Sequence, residues 1–196
     1  MLASPGSSDL LQRMVNAVER VRQRLLLASR ALKAAGVPYA IAGGNAVAAW
    51  VATVDEAAAR NTQDVDILVR RADFDAARAA LEAAGFVYRR AAGLDVFLDS
   101  AEASPRQAVH LIFANEKVRP HEPAANPDVE ESIDGGEFRL LNLEALVRIK
   151  LTAFRRKDQV HLLDMLGVGL IDSSWVAKLP PALGERLREL LETPEE

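Results

Sequence analysis

The stretch Asn61 to Val69 reads NTQDVDILV, and two aspartates stand two residues apart in a run otherwise composed for a strand. Side chains alternate along a strand, so Asp64 and Asp66 share one face while Val65, Ile67 and Val69 share the other. Carboxylates so placed lie roughly 6–7 Å apart at Cα. At an effective dielectric near ~20 they repel by about 2–3 kcal/mol. A divalent metal offsets that repulsion, because a hard cation such as Mg²⁺ takes carboxylate oxygens and substrate phosphates together. A solvated strand face, where water screens the pair and charge discourages edge pairing, offsets it too.

A second feature precedes it. The segment YAIAGGNAVAAW is a short apolar strand that ends in Gly43 and Gly44 and passes directly into a helix. Two residues without Cβ permit a sharp turn or the close approach of a ligand, and the amides near Gly44 and Asn45 form an anion site at the helix start. A tight strand-to-helix turn is the alternative. Neither GxGxxG nor GxxxxGK[ST] occurs, so this is not the phosphate loop of a dinucleotide fold or a P-loop. Further on, Lys150 is followed by Arg155, Arg156 and Lys157 between two expected helices. These form either a solvated turn or, if the C-terminal helices fold over the glycine turn, a basic wall on which Lys150 neutralises phosphate. Asp158 and Asp164 are then expected to orient the basic residues. His161 is given no role, and Trp50 and Trp175 read as core.

The elements that must carry these residues follow from periodicity and breakers. A helix is expected to run to about Ala35, a strand over 39–43, a helix from Gly44 to Val54, the aspartate strand over 64–69, and a helix over 73–85 capped by Asp73. Three strands follow, FVYRR, LDVFLD and QAVHLIF. From Ala114 to Gly136 the prolines at 120, 123 and 127 and the Gly135-Gly136 pair break every pattern, which reads as a long surface loop joining two lobes. A short extended piece, EFRLL, leads to a helix capped by Asn142, a second helix KDQVHLLDML, and a last helical pair, SSWVAKL and PALGERLRELLE. The expected class is α+β: a mixed sheet flanked by helices, with an N-terminal helix (1–37), an α/β core (38–140) and a C-terminal helical lobe (141–196).

Composition narrows the function. A net charge of −4 does not suit a general nucleic-acid surface, although it leaves room for a basic pocket. With no cysteine, thiolate metal sites and disulfides are excluded, and three histidines leave little for zinc. No run of about 18 apolar residues occurs, so no membrane span is expected and the chain reads as cytoplasmic.

Strand, Gly43-Gly44, helix, and then a strand bearing Asp64 and Asp66 introduced by Thr62 resembles the nucleotidyltransferase superfamily, the polymerase-beta-like fold. The helices holding Lys150, Lys157 and Asp158 are similar to the minimal and abortive-infection toxin (AbiEii-like) branch. The resemblance covers residues 38 to about 166. It implies that the glycine turn holds a triphosphate and that Asp64 and Asp66 bind Mg²⁺. The implied reaction moves a nucleoside monophosphate from an NTP, with ATP and GTP the leading expectation, to an unknown acceptor. Members that catalyse transfer usually carry a third carboxylate on a neighbouring strand, and here that strand reads AVHLIFANE, with His110 in its place. A histidine can serve as general base near neutral pH but brings no negative charge to offset two metal ions. Asp95 or Glu116 could supply the missing oxygen. The alternative implied by His110 is a degenerate nucleotidyltransferase that binds a nucleotide or a protein partner, in a regulatory or toxin-antitoxin setting.

Overall fold

The computed structural model describes residues 7–91 and 93–192, so the ends of the expected first and last spans, 1–6 and 193–196, lie outside the described residues. Its frame is a seven-stranded mixed sheet in the order β3-β4-β5-β2-β1-β7-β6. The strands are β1 (Tyr39–Ile41), β2 (Val65–Val69), β3 (Val87–Ala91), β4 (Leu94–Leu98), β5 (Ala108–Phe113), β6 (Ser132–Asp134) and β7 (Arg139–Leu141). Six α-helices flank it among the described residues: α1 (Ser7–Ala34), α2 (Gly43–Ala52), α3 (Phe74–Ala83), α4 (Leu143–Ala153), α5 (Arg156–Gly167) and α6 (Pro181–Glu192). This is the expected α+β class. No helix among the described residues is long and apolar enough to cross a membrane.

The central strands β5, β2 and β1 set the geometry of the site. β2 pairs antiparallel with β1 and parallel with β5, in a register that makes Asp66 and His110 direct neighbours. Apolar residues cover β2 on both faces, since Val65, Ile67, Leu68 and Val69 are all fully buried. Helix α1 packs on α3 and touches β2 and β5, while α2 packs on β2 and receives α4 and α5, with α6 on α4. One continuous apolar cluster contains Leu32 of α1, Ile67 and Leu111 of the sheet, Leu146 and Leu151 of α4, Leu162 and Met165 of α5, and Leu187 of α6. The C-terminal helices are therefore packed against α2 by hydrophobic burial, which brings their polar residues to the sheet.

Several expected elements differ. The segment 114–136 is not an open surface loop: its last part forms β6, which pairs antiparallel with β7 around the Gly135-Gly136 turn, where Gly136 has φ +90°. Glu122, Asn126 and Val129 within it are buried. The buried polar groups are satisfied by backbone, which is why a proline-rich polar stretch can pack: Asn126 Nδ2 donates to the Phe113 carbonyl at 2.9 Å, and Glu122 accepts from the amides of Val118 and Arg119 at 3.0 and 3.2 Å. SSWVAKL is a short 3-10 turn (Ser173–Ala177) started by Asp172 rather than an α-helix. Asp73 makes no capping bond, because it closes a 3-10 turn (Arg71–Asp73) instead. Asn142 does cap α4, accepting from Ala145 N at 2.9 Å.

The 114–131 segment is pinned at Asp128, which accepts from Arg70 Nη2 at 2.8 Å, Asn115 Nδ2 at 2.7 Å and Glu130 N at 3.0 Å. The Arg70 hydrogen bond, aided by the Glu130 amide, lowers the Asp128 pKa from 3.8 to about 2. A carboxylate with a depressed folded pKa stabilises the fold above its unfolded pKa, and that contribution is lost as pH falls through the folded value. Asp128→Asn should therefore lower Tm at neutral pH, with the gap to wild type closing between about pH 4 and about pH 2. Thermal melts across that range measure it, and a gap constant with pH would exclude the ionised Asp128 as its source.

Candidate functional site

The site is built where β1 ends and α2 begins. Ala42 N donates to the Asp66 carbonyl at 2.9 Å, which aligns the β1 end with β2, and Gly43 then turns at φ +65°. A Cβ on Gly43 would lie 2.0 Å from Asp66 Oδ2, and one on Gly44 would lie 3.1 Å from Thr62. The two glycines are thus required by close approach of the backbone to the very segment that carries the aspartates. Asn45 Nδ2 donates to the Asp64 carbonyl at 2.7 Å, locking α2 to the start of β2. At the N-cap position Ala42 has no side-chain acceptor, so no side chain caps the first turn of α2, whose amides are of the kind that suits an anion.

Asp64, Asp66 and His110 come together, with one potential ligand atom of each lying within 4.8 Å of the others. Thr62 Oγ1 donates to Asp64 Oδ1 at 2.6 Å and orients that carboxylate. His110 Nδ1 lies 3.3 Å from Asp66 Oδ1 and 3.9 Å from Asp64 Oδ2. Its Nε2 lies 2.8 Å from the Pro105 carbonyl oxygen, which has no proton to give, so Nε2 carries the hydrogen. Burial alone would push the Asp66 carboxyl up, but the His110 hydrogen bond and the charges of Lys150, His110 and Lys157 hold it below the usual carboxylate range. Burial likewise disfavours the His110 imidazolium, yet Asp66, the Pro105 carbonyl and Asp64 outweigh it and raise the His110 pKa.

The fourth wall comes from α4 and α5. Lys150 is buried and its Nζ contacts Asp158 Oδ1 at 3.2 Å, while Asp158 Oδ2 accepts from Arg155 Nε at 2.7 Å and from the Arg155 amide at 3.2 Å. Burial pushes the Lys150 ammonium pKa down, against the opposing pull of Asp158 and Asp66. Burial pushes Asp158 up, but Arg155 and Lys150 more than reverse it. Phe154 between the helices adopts the left-handed φ of 47°, and Arg186 of α6 stabilises that turn by donating to the Leu151 and Thr152 carbonyls at 2.6 and 2.7 Å. Lys157 Nζ reaches within 3.9 Å of Asp64 Oδ2. A cavity of about 200 Å³ results, bordered by Gly43, Asp64, Asp66, His110, Lys150 and Lys157.

Two expected alternatives for the third oxygen do not reach it. Asp95 pairs in register with Leu111, one residue off His110, so it faces the other side of the sheet and accepts from Tyr88 at 2.7 Å. Glu116 is held by Arg71 at 2.6 Å, whose guanidinium lies 3.4 Å from the Phe113 ring centroid. Asp164 accepts from Arg60 at 2.8 Å. Arg24 was not singled out from sequence. It is buried on α1, donates to the Gln63 carbonyl at 3.1 Å and to Asp99 Oδ1 at 2.8 Å, and so anchors the segment that enters Asp64. An arginine in an amphipathic helix carries no local signal of such a partner.

Against known sequences, residues 8–140 of the 196 match the family described as uncharacterised nucleotidyltransferase, a span that holds Gly43, Gly44, Asp64, Asp66 and His110. The chain belongs to this nucleotidyltransferase family. No curated protein matches its sequence. Among solved structures, an antigenic nucleotidyltransferase-like protein from Paracoccidioides brasiliensis is similar at TM-score 0.56 and 16% identity, covering 90% of this chain and 89% of that one. The antibiotic-resistance factor ANT(2'')-Ia is similar at TM-score 0.50 and 14% identity, over 92% of each chain. A protein from H. pylori described as a nucleotidyltransferase is similar at TM-score 0.50 and 12% identity, covering 89% of this chain and 76% of that one. These similarities extend the nucleotidyltransferase fold beyond the family match to the C-terminal helices.

Two outcomes test this geometry. Gly43→Ala should displace Asp66 and destabilise the protein by ~1–3 kcal/mol, read from urea denaturation. Asp158→Ala should cost about 3–5 kcal/mol, because it leaves Lys150 buried without its partner. A loss under ~1 kcal/mol in the same measurement would mean the pair is solvated.

Proposed function

We propose that this nucleotidyltransferase-family protein moves a nucleoside monophosphate from an NTP to an acceptor bearing a hydroxyl, and releases pyrophosphate. The observation that carries this reading is the convergence of Asp64, Asp66 and His110 beside the uncapped first turn of α2. Two carboxylates and an imidazole with its second nitrogen on a carbonyl are a donor set that fits a divalent cation. Asp64 and Asp66 would hold it, with Mg²⁺ the cation that NTPs ordinarily carry. When bound, the cation supplies charge stabilisation at the phosphate oxygens.

The chain's own residues do the rest. The amides of Gly44 and Asn45 receive phosphate oxygens, and Lys150 and Lys157 provide positive charge on the facing wall. In the transfer the acceptor oxygen bonds to the α-phosphorus and the bond from that phosphorus to the pyrophosphate oxygen breaks. The hydroxyl proton leaves to a base or to water. Nδ1 of His110 is the ring nitrogen turned to the carboxylates, so accepting that proton and donating a lone pair to the cation compete for one atom. Lys150, Lys157 and Asp158 on α4 and α5 support the minimal, AbiEii-like type, and ATP and GTP are the leading nucleotides.

A second reading is favoured by one observation: a protonated His110 bridging Asp66 and Asp64 neutralises part of their charge with no cation. On that reading the protein is a degenerate member that binds a nucleotide or a protein partner, as in a toxin-antitoxin pair. Thermal shift and calorimetry with ATP, GTP, CTP and UTP, with and without Mg²⁺, test the first. Cation-dependent stabilisation is expected, rising by about 2.7 kcal/mol at a hundredfold excess over Kd, and disappearing in Asp64→Ala and Asp66→Ala. Labelled-nucleotide transfer that persists in Asp66→Ala would overturn the catalytic assignment.

A further inference from the structure

His110 occupies the position on β5 directly beside Asp66, and its two nitrogens are in different circumstances. Nε2 is committed to the Pro105 carbonyl at 2.8 Å. That carbonyl is presented by a tight turn, in which Gln107 N donates to the Ser104 carbonyl at 2.9 Å and Ser104 Oγ accepts from Arg106 N at 3.3 Å. The turn therefore fixes both the plane of the ring and its tautomer. In the neutral ring the lone pair must then lie on Nδ1, directed at the Asp64 and Asp66 carboxylates. A ring N–H given to a backbone carbonyl while the other nitrogen faces carboxylates is the arrangement of a histidine that ligates a metal. With Nε2 satisfied by the Pro105 carbonyl, the remaining nitrogen meets the two carboxylates: protonated, it donates to Asp66, and deprotonated, it offers a lone pair to a cation that they hold.

We propose that His110 ligates the cation held by Asp64 and Asp66 through Nδ1, and that this nitrogen makes the position select a nitrogen-accepting cation such as Mn²⁺ over Mg²⁺. The inference rests on the nucleotidyltransferase reading above for the presence of a divalent cation at this site. Mg²⁺ demands oxygen donors and sheds water reluctantly, whereas imidazole suits the first-row transition cations. Charge agrees with a single resident ion. A neutral imidazole leaves the donor set with the two negative charges of Asp64 and Asp66, which one dication balances, and the Lys157 ammonium already stands 3.9 Å from Asp64 Oδ2. An NTP then brings any second cation on its own phosphates. With Nδ1 on the metal, the proton of the acceptor hydroxyl leaves to water rather than to His110.

The test uses the nucleotide-free full chain. Mn²⁺ binding is followed by electron paramagnetic resonance with Mg²⁺ as competitor, and ligand nitrogen is read by pulsed resonance as ¹⁴N coupling. Wild type should bind one Mn²⁺ per chain with ¹⁴N coupling, and His161→Ala should keep that coupling. His110→Ala and His110→Asp should both lose it. Because most oxygen sites hold Mn²⁺ somewhat better than Mg²⁺, the deciding quantity is the ratio of the two affinities, which should fall about tenfold or more in His110→Asp. His110→Asp restores a ligand at the same place, so it remains informative if His110→Ala fails to fold. Bound Mn²⁺ without ¹⁴N coupling, an unchanged ratio in His110→Asp, or no Mn²⁺ binding to the free chain would each overturn the proposal. None of these touches Mg²⁺-dependent NTP binding, which the thermal-shift series reads separately.

Discussion

The contact between Gly43 and Asp66 is the constraint on which the site depends. A Cβ at residue 43 would come within 2.0 Å of Asp66 Oδ2, so the backbone of the β1–α2 turn and the second carboxylate occupy adjoining space only because Gly43 has no side chain. Its φ of +65° is a conformation that glycine adopts without steric cost. The same turn starts α2 without a side-chain cap, so one local geometry places the first-turn amides of α2 beside the two carboxylates. The proposed chemistry needs that adjacency, because a cation on the carboxylates would meet the same phosphates as the helix start.

Holding two carboxylates at such a site has an electrostatic cost, and the structure offsets it from two directions. On the sheet, His110 lies alongside Asp66 through parallel register, and its ring is aimed by the Pro105 carbonyl. Across the cavity, Lys150 and Lys157 come from helices α4 and α5, far later in the chain than Asp64 and Asp66. Lys150 is buried, and a buried ammonium is tolerable only with a partner; Asp158 provides it, and Arg155 in turn satisfies Asp158. Phe154 in the left-handed region and Arg186 of α6 hold the α4–α5 turn that makes this network. The C-terminal helices thus form part of the site through hydrophobic packing on α2 as much as through their charges.

The strength of local signals decides what is legible in the chain. Asp64 and Asp66 sit in a run of β-branched and aliphatic residues whose alternation alone places them on one face, and Gly43-Gly44 is visible because two glycines between a strand and a helix mark a sharp turn or a close approach. Asn142 is legible as a cap for the same kind of reason, since its partner, Ala145 N, lies three residues away. Asp73 looks equivalent in sequence, but the chain takes a 3-10 turn there. The segment 114–136 reads as open loop because prolines break periodicity. It packs through Asn126 and Glu122, whose partners are backbone groups brought close by the fold, and β6 exists only because β7 lies beside it.

What the sequence determined by itself was the chemistry of short-range groups, a carboxylate pair on one strand face and a glycine turn; His110 in the place of a third carboxylate was legible only through the family resemblance. Their periodicity and spacing follow from backbone geometry, which is local. Only the tertiary structure decided that Asp95 faces away while His110 faces in, because a one-residue step in strand register exchanges the faces. Only it decided which nitrogen of His110 meets the aspartates, since the Pro105 carbonyl arrives through a turn. The buried Lys150 and Arg24 belong to the same class: their roles are set by partners distant in sequence, and such pairings arise from packing of whole elements rather than from any local preference.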